Sequence, residues 1–474
     1  MIRLVIVSNT NHPSSDDEIL CFPPPNNNTN GRKLPWRSHL PEAIPLFQTK
    51  NPAIYRRHQC LAKIQEHQLS TMKSYLGQQD RSSPPSNSHV LLVDPAYHCN
   101  VGDLMITMGE RKILERLGYN INSNSSCALD QSLSISYSEC HYMQSSELVP
   151  YCEDILYHHQ KGPITQTIKT QQRKFALWHG GGNWGDLWPS VQKVRIEQSF
   201  RSLLRNNYII LGMPQSLYYQ HQETEAFDAR LLKREIRIGK ELGANTDAIV
   251  ALSWREYESY QRAKQLYPFL DNILLPDVAF QLGPYQRETV GDLEQVDFLF
   301  LLRRDQESGL LPPLVKNEET DDDDQSNILD ITTISKLISD TVHAAMDTNA
   351  PEKSFHVVDW PDRLRLFQSD DPYFTKTAIQ LLSLGRVVIC DRLHAVILAF
   401  LAGMPFIYID PLTGKITKSL KVALTAAGEG CLGGQHTNGA DTMESLWYAQ
   451  AHNLTEAIVK GGHMLRLSSR WNGV

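Results

Sequence analysis

The sequence predicts an α/β protein with two consecutive domains, each built on a parallel β-sheet. The chain has 474 residues, of which 41% are hydrophobic, and this is enough to form two separate cores. Short apolar runs without polar alternation recur along it, as is typical of parallel strands buried on both faces. Helix-like segments separate these runs, and alternation of strands and helices is the pattern of α/β folds.

The predicted strands form two sets, one for each domain. The first domain is expected at 88–284, where a Gly-Pro pair ends it, and the second at 294–474. Residues 1–87 have the composition of a low-complexity, linker-like extension, within which 54–76 is a helix candidate. Strands are predicted at 89–94, 175–178, 208–213, 248–253 and 273–280 in the first domain, and at 298–302, 355–359, 386–390 and 406–409 in the second.

Composition and charge exclude several classes of protein. A formal net charge of -7 and a pI of about 6.2 argue against a general nucleic-acid-binding protein, which needs a basic surface. No apolar run is long enough to span a membrane, so the sequence indicates a soluble, cytoplasmic chain. The eight cysteines form no CxxC pair and the 17 histidines form no HExxH motif, so no metal site is expected. The pairing of the cysteines stays open.

An acidic segment, EETDDDDQS, lies between the first two predicted strands of the second domain. Its four adjacent aspartates admit two interpretations, a metal site or a solvated loop. Like charges repel one another and stay exposed. We therefore predict a flexible acidic loop at 316–327 that takes no part in the chemistry.

The segment FALWHGGGNWGD predicts a strand, a glycine turn and the start of a helix. Glycines in such a turn let a ligand approach the backbone closely, and Gly181 and Gly182 are the candidates for this contact. The N-terminus of the following helix directs its free N–H groups and the positive end of its dipole towards the turn. The competing interpretation is an ordinary tight connection in a sheet protein.

A second segment, HVLLVDPAYHCNVGD, repeats this plan earlier in the chain. Turns of this kind lie at the carboxyl ends of parallel strands, where ligands bind in open α/β sheets. We expect the two turns to line one cleft, each with an amide and a carboxylate; alternatively, the carboxylates only cap helix N-termini. The shared pattern is Asn-x-Gly-Asp, formed by Asn100, Gly102 and Asp103 in the first turn and by Asn183, Gly185 and Asp186 in the second.

In the second domain, a predicted strand runs directly into Asp391-Arg392-Leu393-His394 and then into an apolar helix. The first turn of a helix attracts anions, and a guanidinium there matches a carboxylate or a phosphate. A histidine beside it can move protons near neutral pH. Arg255 and Arg303 also follow predicted strands, so a substrate with at least two negative charges is indicated. The alternative is an Arg392–Asp391 ion pair next to a structural histidine.

Together, these motifs resemble the polysaccharide pyruvyltransferase family. The segments NVGD, GGGNWGD, REYES followed by LLPDVAF, and DRLHAVILAFLAGMPFI have the order and spacing of that family over about 90–410. One position departs from its pattern. The first turn of the family usually reads Gly-Asn-x-Gly-Asp, and Cys99 stands here in place of that first glycine.

The resemblance implies two Rossmann-like domains in a GT-B-like arrangement, with a cleft between them. It implies transfer of pyruvate from phosphoenolpyruvate onto a glycan as a cyclic ketal, with no cofactor. Arg392, Leu393 and Arg255 would hold this donor, and Arg303 is a further arginine beside the cleft. His394 is the candidate general acid, and Asp103 or Asp186 is the candidate acceptor of a hydroxyl proton. The cleft loops are those of Asn100, Gly102, Gly181, Gly182 and Asn183.

Two other functions remain open at this point. One is a nucleotide-sugar glycosyltransferase on the same architecture, and the other is a catalytically inactive carbohydrate-binding relative. The released product separates them, since pyruvyl transfer releases phosphate and sugar transfer releases a nucleotide. Eukaryotic members of the family can act in the Golgi, so the resemblance adds that location to the cytoplasmic one. The acceptor sugar and the oligomeric state stay open as well.

Overall fold

The structure is a computed structural model, and the part of the chain that it describes is discontinuous. Cys99, the acidic loop at 316–327 and most of 1–87 lie outside the described residues. Those residues are 51–76, 88–96, 100–121, 135–140, 142, 152, 156, 173–187, 189–242, 250–287, 295–303, 331–345, 353–358, 360, 375–410, 414–431 and 448–471.

The ranges predicted as domains, 88–284 and 294–474, are called the first and the second domain below, and their division stays a prediction. The first domain contains a parallel sheet of eight strands. They are β1 Ser88–Val93, β2 Asn120–Ile121, β3 Ile135–Cys140, β4 Arg173–Trp178, β5 Gly181–Gly185, β6 Tyr208–Tyr218, β7 Val250–Trp254 and β8 Asp271–Leu274. Their order across the sheet is β2-β3-β1-β4-β6-β7-β8, and β5 pairs with the C-terminal part of β6.

The second domain contains a parallel sheet of five strands in the order β10-β9-β11-β12-β13. They are β9 Val296–Leu301, β10 Phe355–Val358, β11 Gly385–Cys390, β12 Phe406–Ile409 and β13 Tyr448–Ala451. β9, β11 and β12 are almost fully buried and mostly apolar, as expected of strands covered on both faces. The predicted α/β class with parallel sheets is therefore confirmed.

Helices cover the sheets. In chain order they are α1 Pro52–Tyr75, α2 Val101–Arg116, α3 Pro189–Val194, α4 Arg201–Arg205, α5 Gln222–Leu242, α6 Tyr257–Leu266, α7 Ile331–Ala345, α8 Thr375–Ser383, α9 Leu393–Leu401, α10 Lys415–Ala426 and α11 Leu454–Trp471. A π-helical segment, Arg195–Phe200, joins α3 to α4, and short 3-10 helices form at Val278–Gln281 and Glu429–Cys431.

The local secondary structure differs from the predictions in three ways. The strand predicted at 273–280 is wrong beyond Leu274, because Asp277 caps the 3-10 helix Val278–Gln281 and its Oδ1 accepts the N–H of Ala279 at 2.9 Å. Such a side-chain bond competes with a sheet ladder. The glycine turn is itself the strand Gly181–Gly185. The strands Asn120–Ile121, Ile135–Cys140 and Tyr448–Ala451 were not predicted.

The two domains share a hydrophobic core. Helix α2 of the first domain contributes Leu104 and Met108 to the same buried cluster as Val396 and Phe400 of α9 in the second domain. Dense apolar packing of this kind holds side chains in fixed rotamers. Helix α2 begins in the NVGD motif and helix α9 begins in the Asp-Arg-Leu-His motif. The packing between these helices therefore fixes where the two motifs lie relative to each other.

Helix α1 packs into two hydrophobic clusters, although it lies in the range that was expected to be an extension. It begins at Asn51, whose Oδ1 accepts the N–H groups of Ala53 and Ile54 at 3.0 and 3.3 Å. Leu61 and Ile64 pack into the cluster that contains α9, whereas Met72 packs into the first-domain cluster. The predicted helix at 54–76 is confirmed, and it is an integral part of the fold.

Among the described residues, two disulfides link segments whose pairing the sequence left open. Cys140 pairs with Cys152, and Cys60 of α1 pairs with Cys431 in the 3-10 helix Glu429–Cys431 of the second domain. The second of these spans 371 positions of sequence. Cys390 is a free, buried thiol, as its apolar strand predicts. None of the helices in the described part of the chain is long and apolar enough to cross a membrane.

Candidate active site

The first domain places its two Asn-x-Gly-Asp motifs where the strand order of the sheet reverses. β1 and β4 are neighbours, but β3 lies on the far side of β1 and β6 on the far side of β4. Ligands of open α/β sheets bind at such switch points, outside the carboxyl ends of the strands. Residues 100–103 follow β1 and residues 180–186 follow β4, so both motifs lie beside one crevice.

The second domain repeats this geometry with its basic residues. β9 and β11 are neighbours there, with β10 and β12 on their outer sides. Arg303 follows β9, and Arg392 and His394 follow β11. Asp391 Oδ1 accepts the N–H of Arg303 at 2.8 Å, which joins the two strand ends. The predicted basic residues therefore lie at the switch point of their own sheet.

The two switch points meet at Gly102 and His394. A Cβ atom on Gly102 would lie 2.2 Å from His394 Nδ1 and 2.8 Å from its Cγ. No side chain fits at that distance, so the imidazole of the second domain occupies the space that glycine leaves open. The close approach at this glycine thus comes from the second domain.

Gly182 makes a second close approach of the same kind. A Cβ atom there would lie 2.7 Å from Lys415 Nζ and 3.3 Å from Arg255 Nη2. Lys415 is the first residue of α10 and follows Gly414, which has a left-handed φ of 65°. Lys415 was not among the predicted site residues, because its contact with Gly182 joins elements that are far apart in sequence.

Asn100 and Asp103 are linked to each other and to this region. Asn100 caps α2, with its Oδ1 accepting the N–H of Gly102 at 3.0 Å, and its Nδ2 donates to Asp103 Oδ2 at 2.9 Å. The other oxygen of Asp103 lies 3.8 Å from the place where a Cβ on Gly181 would be. The carboxylate of the first motif therefore faces the glycine strand of the second motif.

An aspartate that sequence analysis did not select joins the two domains. Asp277 Oδ2 accepts a hydrogen bond from Arg255 Nη1 at 2.7 Å and lies 3.4 Å from His394 Nε2. The longer contact is an ion pair when His394 is protonated. Asp277 and Arg255 are each 1% exposed, and His394 is partly exposed. Asp277 lies in LLPDVAF, within the range 273–280 that the sequence predicts as a strand.

The protonation of this group follows from burial and charge. Burial alone would raise the pKa of Asp277, but the charges of His394 and Arg255 and the N–H of Ala279 lower that pKa well below its usual value. Burial would lower the pKa of Arg255, but Asp277 and Glu256 raise it instead. Both groups are therefore charged at neutral pH, inside a buried environment.

Arg255 has a second set of partners on its other side. Its Nε donates to Ser216 Oγ at 2.8 Å and lies 3.3 Å from Glu256 Oε1. Glu256 also accepts bonds from Ser259 at 2.7 Å and, across the domain boundary, from Ser419 at 3.1 Å. Most of the Arg255 guanidinium is thus engaged with protein oxygens, and Nη2 is the nitrogen on the Gly182 side.

The Arg-Leu-His motif forms the N-terminal end of α9. Arg392 is the N-cap residue, with φ −113° and ψ 126°, and its side chain is half-buried. Leu393 is buried in the shared core, and Arg303 is half-buried at the neighbouring strand end. The motif therefore presents the arginine and the histidine on either side of a leucine that anchors the turn. Donor contacts by Arg392, Leu393 and Arg303 stay predictions.

Asp186 lies in a different setting from Asp103. Its carboxylate accepts the N–H of Gln220 at 2.8 Å and the N–H of His221 at 2.9 Å. Gly185 beside it has φ 128°, and a Cβ there would lie 1.6 Å from Tyr218 O. The Asp186 carboxylate thus holds the end of β6, and its role as proton acceptor stays a prediction. The side chain of Asn183 lies outside the described residues.

A buried tryptophan fixes the glycine strand. Trp184 is 1% exposed and makes edge contacts with Trp178 and Trp254, at centroid distances of 5.3 and 5.7 Å. Its Nε1 donates to Tyr267 Oη at 3.1 Å. Aromatic groups of this size dominate core energetics. The tryptophan of GGGNWGD is therefore a packing anchor.

A buried ion pair holds the residue that precedes the three glycines. Glu110 of α2 bonds His179 Nδ1 at 2.9 Å through Oε2, and its Oε1 accepts the N–H of Gly180 at 2.8 Å. Burial would lower the pKa of His179, but the charge and hydrogen bond of Glu110 raise it. Sequence analysis missed this pair, because a glutamate in mid-helix carries no local signal for such a contact.

No group of three or more potential metal ligands occurs among the residues that the structure describes. The acidic aspartates lie outside those residues, so their predicted role as a loop stays a prediction. The candidate site consists of arginine, lysine and histidine side chains opposed by glycine backbone. These hydrogen-bond donors suit an anionic organic ligand.

Comparison with known proteins finds relatives that are named as pyruvyl transferases. Pyruvyl transferase 1 of Schizosaccharomyces pombe is 28% identical over 344 residues, covering 69% of this chain and 68% of that protein. EpsO of Bacillus subtilis, provisionally described as a pyruvyl transferase, is 25% identical over 202 residues, covering 42% of this chain and 47% of its own. The match to a solved structure of an uncharacterised Klebsiella pneumoniae protein covers 76% of this chain and 93% of that one, at 14% identity and with a TM-score of 0.37.

The family model of polysaccharide pyruvyl transferases matches residues 100–412. That range contains both switch points, from Asn100 to His394. The chain belongs to the polysaccharide pyruvyl transferase family, and the predicted resemblance is confirmed.

Proposed function

We propose that this chain transfers pyruvate from phosphoenolpyruvate onto hydroxyls of a glycan, forming a cyclic ketal and releasing phosphate. The observation that carries the proposal is the convergence of Arg255, Lys415 and His394 on Gly102 and Gly182, where the two switch points meet. Cations around exposed backbone suit a small ligand with two anionic groups. Membership of the family supports a transferase that acts on polysaccharide.

The donor would lie between two Rossmann-like domains in a GT-B-like arrangement, with the cleft at the meeting point. Phosphoenolpyruvate carries a phosphate and a carboxylate, so it needs two cationic contacts some distance apart. Arg392 at the N-terminus of α9 supplies one, strengthened by the free N–H groups of that helix. Lys415 and Arg255 Nη2, which both lie near Gly182, supply the other.

His394 would protonate the enol methylene carbon of the donor. Asp277 lies at its Nε2, so Nδ1, on the Gly102 side, is the nitrogen left to give a proton to the donor. The charged carboxylate stabilises the imidazolium and orients the ring. Protonation at carbon makes the adjacent carbon electrophilic, and the first sugar hydroxyl adds there. Phosphate then leaves, and the second hydroxyl closes the ketal.

A carboxylate would accept the proton of the attacking hydroxyl. Asp103 is the stronger candidate, since it faces the glycine strand within the crevice. Asp186 is the weaker one, since its oxygens accept backbone N–H groups of Gln220 and His221. The mechanism uses no metal and no cofactor beyond the donor as co-substrate.

The test is phosphate release from phosphoenolpyruvate with a panel of galactosides, glucosides and mannosides. We expect release to depend on one acceptor class, and mass spectrometry should show a product heavier by one pyruvyl ketal. The His394→Gln variant is the matched blank for background hydrolysis. Nucleotide release from a nucleotide sugar would instead assign the glycosyltransferase. Sugar binding without any release would assign the inactive relative.

A further inference from the structure

Helix α1 lies before the matched family region, yet it contacts both the segment that carries Asp277 and the far end of the helix that carries His394. The family match begins at residue 100, and α1 spans Pro52–Tyr75. Its buried face carries polar side chains that reach backbone on each side of the site. A polar side chain inside a core is costly unless it is fully bonded, so these contacts call for a role.

The first contact holds the segment that carries Asp277. Gln68 is fully buried, and its Nε2 donates to the carbonyls of Pro276 and Asp277 at 2.9 and 2.8 Å. Its Oε1 accepts from Gln281 Nε2 at 2.8 Å, so the amide is bonded on both ends. Gln65, one helical turn earlier, donates to Phe280 O at 3.0 Å. The backbone on both sides of the Asp277 carboxylate is therefore held by α1.

The second contact holds the far end of the helix that carries His394. Arg57 is 1% exposed, and its Nη1 donates to the carbonyls of Ala399 and Met404 at 3.3 and 2.9 Å. Its guanidinium also lies over the rings of Phe400 and Phe406, at 5.4 and 5.6 Å. A cation at the C-terminal end of α9 complements the helix dipole there.

The third contact is covalent. Cys60, between Arg57 and Gln65 on α1, is bonded to Cys431. Arg56 beside it donates to Gly430 O at 2.6 Å through Nη2. The disulfide therefore holds the part of α1 that lies between Arg57, which contacts α9, and Gln68, which contacts the Asp277 segment.

We propose that α1 is a strap whose residues Gln68 and Arg57 position Asp277 against His394, and that the Cys60–Cys431 disulfide keeps this strap in place, so that full turnover requires it. The proposal rests on the proposed function for its kinetic readout. Gln68 and Arg57 are positioning residues, since they act on the backbone that carries Asp277 and His394. Reduction of this disulfide is then expected to slow chemistry more than it weakens donor binding.

The main test compares two double variants of the full chain. Cys60→Ser/Cys431→Ser removes the strap disulfide, and Cys140→Ser/Cys152→Ser removes the other one as a control. We expect the first to lower kcat about tenfold with the KM for phosphoenolpyruvate changed less than threefold, and the second to leave both near wild type. Equal loss in the two variants, or a change confined to KM, would overturn the proposal.

A second pair of variants covers the case in which the cysteine variant fails to fold. Gln68→Leu removes the two bonds to the Asp277 segment, and Gln59→Leu makes the same chemical change at an exposed site of the same helix. We expect a loss of kcat only in Gln68→Leu. Wild-type kcat in a folded Gln68→Leu variant would count against the proposal.

Hydrogen exchange separates the strap from the proposed function. We expect amides of Val278–Gln281 and of Leu393–Leu401 to exchange at least tenfold faster without the Cys60–Cys431 bond, and reoxidation of reduced wild type to restore their protection. If wild type releases no phosphate, the proposed function fails, and this exchange result alone decides whether the strap exists. Unchanged exchange at both segments would show that it does not.

Discussion

His394 Nε2 lies 3.4 Å from Asp277 Oδ2, although the two residues belong to different sheets and are separated by more than a hundred positions of sequence. The same carboxylate oxygen accepts a hydrogen bond from Arg255. One buried oxygen thus connects a cation of the first domain to the histidine of the second. The alignment of the domains and the ionisation of the site therefore depend on each other.

Asp277→Asn should lower stability at neutral pH and matter less in acid. Removing one charge of a buried ion pair costs about 3–5 kcal/mol, because the partner is left uncompensated. The pKa of Asp277 is depressed in the folded protein, so its contribution is present above the unfolded pKa, about 3.9, and is lost as pH falls through the folded value. Urea unfolding should show a larger gap between variant and wild type at pH 7 than at pH 3. A gap that grows in acid would contradict the assignment.

His394→Gln should separate chemistry from binding. A positioned general acid contributes roughly a hundred- to ten-thousand-fold in rate. Glutamine retains a hydrogen-bond donor but cannot deliver a proton, so turnover should fall in that range while donor affinity stays within a few-fold. Calorimetric titration with phosphoenolpyruvate gives the affinity, and phosphate release gives the rate. Turnover near wild type would reduce His394 to a binding or packing residue.

Arg392→Ala should give the opposite signature, with donor binding lost and the fold intact. The variant removes a charge-assisted contact at a helix N-terminus, where such bonds contribute about 1.5–3 kcal/mol. Arg392→Lys should recover little, because an ammonium cannot reproduce the planar fork. The same titration measures both variants, with the melting temperature as the control for folding. Undiminished affinity in Arg392→Ala would remove this residue from the donor site.

Gly102→Ala should displace the histidine. The new methyl group would lie 2.2 Å from His394 Nδ1, and overpacking of this kind costs about 1–3 kcal/mol. We expect at least a tenfold loss of kcat. Gly430→Ala is the matched control, since a Cβ there meets no atom within 4 Å. If both variants turn over alike, the contact between the two motifs has no part in catalysis.

His179→Gln should cost more stability in mild acid than in base. The pKa of His179 is raised in the folded protein, so its stabilisation is complete below the unfolded pKa, about 6.5, and is lost as pH rises through the folded value. The difference in unfolding free energy between wild type and variant should thus be larger at pH 6 than at pH 9. The exposed His221→Gln serves as control. A difference that is independent of pH would mean that His179 stays neutral beside Glu110.

The sequence predicted those parts of the site that local patterns encode. Apolar runs predicted the strands. Glycines or Asp-Arg-Leu-His after a strand predicted the strand ends near which Gly102, Gly182 and His394 lie. Asp277 was missed because the apolar residues around it have the composition of a strand. Its role as the cap of a 3-10 helix was therefore not visible. Glu110 and Lys415 were missed because their contacts join elements that are far apart in sequence. Pairings of that kind are set by the fold and leave no local pattern.

Helix α1 is synthesised long before several of the segments that it packs against. Its buried partners lie 208 to 371 positions further along the chain, at Pro276, Ala399, Met404 and Cys431. At a synthesis rate of about 5–20 residues per second, Cys60 waits on the order of 20 to 70 s for Cys431. During that interval an apolar helix face and a thiol are unprotected on the nascent chain. We therefore expect chaperone binding and wrong disulfide pairing at Cys60 when this protein is produced. The fraction of molecules that contain the native Cys60–Cys431 disulfide would measure correct folding.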